Sequence, residues 1–187
     1  MNYEVEQKFP VADLAKVERA LAALGAAPQP AVEQVDRYFA HPAKDFSQTD
    51  EALRIRRVGG QNFVTYKGPK LDAATKTRRE LELPLEPGEA GFQRFAELLE
   101  ALGFRPVAEV HKTRRPFELR WQGRTFEAVL DDVASVGTFV EVELIAAADD
   151  LESARAAIVS LANELQLQQP ERRSYLEMQL AAAAERK

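Results

Sequence analysis

The stretch NYEVEQKF, residues 2–9, places Glu4, Glu6 and Lys8 at alternate positions. In a β-strand, side chains alternate between the two faces with period two, so these two carboxylates and one ammonium point the same way. The same alternation returns along the chain. EALRIRR (51–57), QNFVTYKG (61–68), TKTRRELELPL (75–85), VAEVHKTRRPFELRW (107–121), TFEAVLDDV (125–133) and GTFVEVELI (137–145) all carry it, with Gly and Pro between them. With the opening stretch and VEQVDRYF (32–39), this spacing predicts about eight strands.

Three other stretches have helical spacing. Leu14, Val17, Leu21 and Leu24 run up to Gly25. Phe92, Phe95, Leu98, Leu99 and Leu102 run up to Gly103. Leu151, Ile158, Leu161 and Leu165 recur over 150–166. Each is expected to lay its apolar side on the sheet. The expected class is α+β, with a largely antiparallel sheet. A faint strand–helix–strand repeat (EVEQKF with ALAALGA, ELELPL with LLEALGF, FVEVELI with LANELQL) is compatible with this class.

Assigning faces shows where the charges gather. Arg54 and Arg56 lie opposite Leu53 and Ile55, and Lys67 shares a face with Thr65. Lys76, Arg78, Glu80 and Glu82 lie opposite Leu81 and Leu83. Lys112 sits with Arg114, Asp131 lies opposite Leu130, and Glu141 and Glu143 lie opposite Val140, Val142 and Leu144. On one strand, this is what any half-solvated antiparallel sheet gives. Over six or seven strands it differs from an ordinary wet face, because Ser, Thr and Gln are scarce and nearly every position is Glu, Asp, Arg or Lys. A sheet curled around its charged face accounts for this if the interior ions pair or bind something, since an isolated buried ion costs several kcal/mol. A triphosphate escorted by divalent cations satisfies both signs together.

Composition narrows the chemistry. The chain has 187 residues, 45% hydrophobic and 29% charged, with 30 acidic and 25 basic side chains. That size fits one domain with a sizeable core, and the net charge of −5 argues against a general nucleic-acid coat. There is no cysteine and only His41 and His111, so a zinc site is poorly supplied and a metal would be hard and oxygen-ligated. His41 is expected in an exposed loop, and His111, alternating with Lys112, on the face away from the charges. No basic segment followed by an apolar run opens the chain, so a cytoplasmic location is expected.

The ordered set EVEQK, LRIR, TYKGPK, KTRRELE, HKTR, LDDV, GTFVEVE and SYLE, spanning about residues 2–180, resembles the CYTH or triphosphate tunnel metalloenzyme superfamily. That superfamily contains class IV adenylyl cyclases, thiamine triphosphatases and inorganic triphosphatases. The resemblance implies a single domain over residues 1–180, with 181–187 as a helix end or tail. It implies an eight-stranded antiparallel β-barrel with a charged lumen, flanked by three to five helices.

It also implies a metal set of Glu4, Glu6, Glu82, Asp131, Glu141 and Glu143 for Mg²⁺ or Mn²⁺. The triphosphate set it implies is Lys8, Arg54, Arg56, Lys67, Arg78, Lys112 and Arg114. Catalysis would rest on Glu4, Glu6, Asp131 and Lys76, the last as a lid lysine or else a solvated loop residue. Glu80 joins the acids or pairs with basic neighbours. Tyr175 is a closing-motif residue or a packing residue.

The implied substrate is a small triphosphate: ATP, thiamine triphosphate or tripolyphosphate. The pattern TYKGPK…KTRRELE with GTFVEVE is more similar to the class IV cyclase branch, which converts ATP to cyclic AMP and pyrophosphate. Hydrolysis of a triphosphate, or non-catalytic binding of a polyphosphate or nucleotide, are the other readings. The resemblance allows a homodimer, and neither a membrane nor a nucleic acid is expected as partner. No adenine pocket is legible in the sequence.

Overall fold

The computed structural model describes residues 2–69 and 78–185. Lys76, expected as a lid lysine, lies outside the described residues. The strands are β1 (Asn2–Pro10), β2 (Ala27–Pro28), β3 (Val32–Ala40), β4 (Ala52–Val58), β5 (Gln61–Lys67), β6 (Glu80–Leu85), β7 (Arg105–Trp121), β8 (Arg124–Val133) and β9 (Gly137–Ala147). The helices are α1 (Leu14–Ala23), α2 (Phe46–Thr49), α3 (Gly88–Ala101), α4 (Leu151–Glu164) and α5 (Tyr175–Ala184).

Every pairing is antiparallel, and the sheet runs β1-β9-β8-β7-β3-β4-β5-β6, with the two-residue β2 added on β7. An isolated bridge between Glu4 and Arg78 brings the chain entering β6 back to β1. The ends of the path thus approach each other, and the sheet curls into the expected barrel-like α+β fold.

The apolar sides of the strands are covered from outside. Val17 and Leu21 of α1 and Ile158 and Leu161 of α4 pack against Val5, Leu130, Val140 and Val142. Helix α3 places Phe92, Ala96 and Leu99 on Phe39 and Ile55. Local signals set the helix ends: Asp13 accepts a hydrogen bond from the Lys16 amide at 3.0 Å, and Gly25 takes a positive φ of 78° where α1 stops. Ser174 and Glu177 form a reciprocal capping box at the start of α5.

Two details depart from the periodicity. Leu98 and Leu102 of the α3 stripe are exposed, and its buried face is carried by Phe92, Ala96 and Leu99. A helix meeting a strongly curved sheet touches it along a narrower line than a flat stripe would need. Leu81 and Leu83 on the edge strand β6 are also exposed, so the rule that helices cover the apolar faces fails at that edge.

Helix α5 behaves differently from the others. Its Tyr175 and Met178 pack with Tyr38, Val110, Val133 and Phe139. Tyr38, Val110 and Val133 alternate in phase with Asp36, Lys112 and Asp131, so this helix lies on the concave side of the sheet and covers part of it.

Candidate functional site

Inside the curl is a cavity of about 940 Å³. Glu4, Glu6 and Lys8 of β1 line it, as do Arg54 and Arg56 of β4, Lys67 of β5, Arg78, Glu80 and Glu82 at β6, Lys112 and Arg114 of β7, and Glu141 and Glu143 of β9. Alternation along each strand puts them there, and antiparallel register sets them side by side. Glu6 lies opposite Glu143, Lys8 opposite Glu141, and Arg114 opposite Asp131.

The carboxylates separate into two kinds. Glu4, Glu6 and Glu143 each offer an oxygen, and these oxygens all lie within 4.8 Å of one another. Burial raises the Glu4 carboxyl well above its ordinary range; Lys67 opposes this, and the neighbouring charges of Glu6 and Glu143 add to it. Glu143 is pushed up to about 7, first by burial and then by the Glu6 charge. Crowded oxygens that resist ionisation together are what a divalent cation relieves, and all-oxygen donors suit Mg²⁺ or Mn²⁺.

The other acids anchor cations. Asp131, fully buried, accepts from Arg114 Nε at 2.9 Å and Nη2 at 2.7 Å, and from the Tyr175 hydroxyl at 2.8 Å. Glu141 accepts from Arg114 Nη2 at 2.5 Å. Glu82 accepts from the Thr65 hydroxyl at 2.9 Å. Thus the structure brings three of the six expected metal residues into one cluster and engages Asp131, Glu141 and Glu82 elsewhere. Glu80 takes the role of a partner, 2.5 Å from Lys67 Nζ.

The basic set surrounds the same space. Lys67 sits 3.7 Å from Glu4, and Arg78 donates to the Asp50 carbonyl at 3.4 Å. Lys8 donates to the Arg173 carbonyl at 2.6 Å and lies 3.9 Å from the centre of the Tyr175 ring. Lys112 lies 3.9 Å from Asp131 and 5.1 Å from the Tyr175 ring centre; burial and the Arg114 charge pull its ammonium down to about 7. Tyr175 therefore packs and also holds Asp131. Of the histidines, His111 is exposed beside Glu109, whereas His41 lines the cavity, with its ring on Phe46 and Phe104.

Asp36 is a site residue that the motifs did not name. It is 1% exposed and accepts from Arg56 Nε at 2.8 Å, Arg56 Nη2 at 3.1 Å and Arg54 Nη1 at 3.3 Å. Burial alone would raise its carboxyl, but Arg54 and then Arg56 outweigh this and hold it far below the carboxylate range. The signal was available: Gln34, Asp36 and Tyr38 alternate along VEQVDRYF, whose faces the motif pattern left unassigned. Buried Arg54 Nε has no hydrogen-bond partner among the described residues.

The raised Glu143 has a consequence for pH. A carboxyl whose folded value lies above its ordinary 4.5 contributes stability that is complete below that value and is lost as pH rises through about 7. Lys112 works the other way, raising stability only as pH climbs from about 7 towards its ordinary 10.5. The metal-free chain should therefore lose melting temperature between about pH 5 and pH 7, and saturating Mn²⁺ should remove that loss. Thermal melts with and without Mn²⁺ check it; a loss unaffected by Mn²⁺ would take Glu143 out of the cation cluster.

The CYTH domain description matches residues 2–175. Over 140 residues, 75% of each chain, the sequence is 40% identical to MJ0240 of Methanocaldococcus jannaschii, a candidate adenylate cyclase by name. The structure of the PH1819 protein of Pyrococcus horikoshii OT3 aligns with TM-score 0.83 and 37% identity, covering 95% of this chain and 98% of that one. A Hippeastrum protein, HpAC1, shares the fold with TM-score 0.65 and 15% identity over 97% and 96% of the two chains; its description assigns it a dominant triphosphatase activity.

Proposed function

Since the chain belongs to the CYTH domain family, whose members are adenylyl cyclase-like enzymes or triphosphatases acting on triphosphates with divalent metal, we propose that it is a class IV adenylyl cyclase-like enzyme. It would convert ATP to cyclic AMP and pyrophosphate with Mg²⁺ or Mn²⁺. The observation that carries the metal-dependent triphosphate reading is the carboxylate trio Glu4, Glu6 and Glu143 in the same cavity as Arg54, Arg56, Lys67, Lys112 and Arg114. A plain anion binder has no use for three acids there. The lean to cyclisation rests on the motif resemblance and on the name of the 40% identical relative.

In this reading Glu4, Glu6 and Glu143 hold the cation. A divalent ion there supplies positive charge to phosphate oxygens as negative charge shifts during the reaction. The side chains do the remaining work. Arg54 and Arg56, held in place by Asp36, turn their remaining N–H groups to phosphate oxygens, and Arg54 Nε is a buried donor awaiting an acceptor. Arg114, fixed by Asp131 and Glu141, and Lys67, fixed by Glu80, add charge that needs little reorganisation. Lys8 and Lys112 flank the Tyr175 ring and complete the basic wall.

The triphosphate clamp is common to attack by the ribose 3′-hydroxyl on the α-phosphorus and by water on the terminal phosphorus, so products decide. The chain is incubated with ATP, thiamine triphosphate and tripolyphosphate in the presence of Mg²⁺ or Mn²⁺. Cyclic AMP with pyrophosphate supports the proposal. Orthophosphate without cyclic AMP replaces it with triphosphatase action, and no turnover of any substrate overturns both. Separately, Arg56→Ala should weaken tripolyphosphate binding by about tenfold or more, the worth of a charge-assisted contact. Unchanged affinity in calorimetry would remove Arg56 from the clamp.

A further inference from the structure

Gln34 is a polar residue of the cavity to which the phosphate clamp gives no task. It shares its face of β3 with Asp36 and Tyr38, lines the cavity and is 7% exposed. Its Oε1 is buried and has no hydrogen-bond partner among the described residues. Its neighbours on that face are engaged: Asp36 holds two guanidiniums, and the Tyr38 hydroxyl accepts from Arg54 Nη1 at 3.3 Å. Asn62 Oδ1 is also buried and unpaired, but that side chain does not line the cavity, and its Nδ2 ties down the carbonyls of Glu86 and Gly88 at 2.8 and 2.7 Å. Asn62 is thus explained by the turn it closes, and Gln34 is not. An unpaired buried oxygen disfavours the empty fold unless a bound molecule supplies the donor.

The surroundings narrow what that donor is. Strand β3 lies between β7 and β4, so Gln34 is set among the basic side chains. Lys112 is opposite it in register on β7, and on β4 Arg56 is opposite Asp36. Neither cation serves Oε1: Lys112 lies against Asp131 and the Tyr175 ring, and Arg56 donates from Nε and Nη2 to Asp36. The oxygens of an ionised triphosphate accept and do not donate. Besides the water of a bound cation, the donor that phosphoryl transfer brings to the phosphates is the O–H of the attacking nucleophile.

We infer that Gln34 contacts this nucleophile, accepting a hydrogen bond from its O–H at Oε1 and so aiming its lone pair at phosphorus. The inference rests on the enzymatic triphosphate reading above and deepens it. In cyclisation the lone pair of the 3′-oxygen forms the bond to the α-phosphorus, the bond from that phosphorus to the bridging oxygen breaks, and its electron pair leaves with pyrophosphate. An amide oxygen is too weak a base to keep the proton, which passes through water to the pyrophosphate. Gln34 therefore orients the attack and is not its base. A neutral acceptor suits this place, because a carboxylate there would repel the phosphates.

Two variants test it. Gln34→Met keeps the length and removes both polar atoms; Gln34→Glu keeps an acceptor and loses the donor. In Gln34→Met, kcat for whichever triphosphate the unaltered chain turns over should fall about a hundredfold, while tripolyphosphate affinity in calorimetry stays within about threefold. Its metal-free melting temperature should hold or rise, because an unpaired oxygen is no longer buried. In Gln34→Glu, kcat should recover to within about tenfold of the unaltered chain while KM rises. A lower melting temperature with kcat unchanged would make Gln34 a structural residue. Tripolyphosphate binding lost in parallel with kcat would make it a phosphate donor, and loss of Mn²⁺ stabilisation in Gln34→Met would give it to the cation's water shell. Each of these overturns the inference, as does a glutamate variant no faster than the methionine one. No turnover in the unaltered chain sinks the enzymatic reading and this inference together, whereas turnover that Gln34→Met leaves intact sinks the inference alone.

Discussion

Replacing Glu4 by glutamine (Glu4→Gln) should lower metal-dependent turnover about a thousandfold, because a divalent cation's stabilisation of shifting phosphate charge is worth several kcal/mol. The fold should survive. Glu4 is one of three carboxylates crowded within 4.8 Å, and its charged form is already disfavoured by burial and by Glu6 and Glu143. A neutral amide of the same shape removes repulsion as well as a ligand, and Lys67 keeps Glu80 as a partner. The metal-free melting temperature of the variant should equal or exceed that of the unaltered chain, and the stabilisation by added Mn²⁺ should largely vanish. Both are read by thermal melts beside a product assay. A variant that melts earlier yet keeps its turnover would make Glu4 a structural ion-pair partner.

The opposite signature is expected at Asp36. This carboxylate is buried against Arg54 and Arg56, which line the cavity and whose side chains are themselves 8% and 14% exposed. Removing one member of a buried ionic group leaves the others charged and uncompensated, at a cost of about 3–5 kcal/mol. Asp36→Ala should therefore lower stability by that amount in urea unfolding and also weaken triphosphate binding, since the two guanidiniums lose the anchor that aims them. Asp36→Asn keeps the volume and should lie between. A loss below about 1 kcal/mol would show that Arg54 and Arg56 are held by something other than Asp36. The pH dependence has a definite sign: the Asp36 carboxyl is held low, so its contribution is present above its ordinary value of 3.8 and is lost as pH falls below that.

These two residues also mark how far the sequence could be read. Glu4 was legible from the opening stretch, because period-two alternation in NYEVEQKF fixes which side chains share a face whatever the rest of the chain does. The same rule placed Arg54, Arg56, Lys67, Lys112, Arg114, Glu141 and Glu143 toward one cavity. Asp36 was missed because its face of VEQVDRYF carries one acid between Gln34 and Tyr38, which resembles an ordinary wet face; only the neighbouring strand, where Arg56 lies opposite it in register, shows what it is for.

By itself, then, the sequence determined the faces: side-chain periodicity is a property of the local backbone, and it carried the strands, the amphipathic helices α1, α3 and α4, and the shared charged face. It could not determine which acid meets which base. That is settled by strand order and register, which bring Glu6 beside Glu143 across some 137 residues of chain and bind Asp131 to Arg114 and Tyr175 and not to the carboxylate trio.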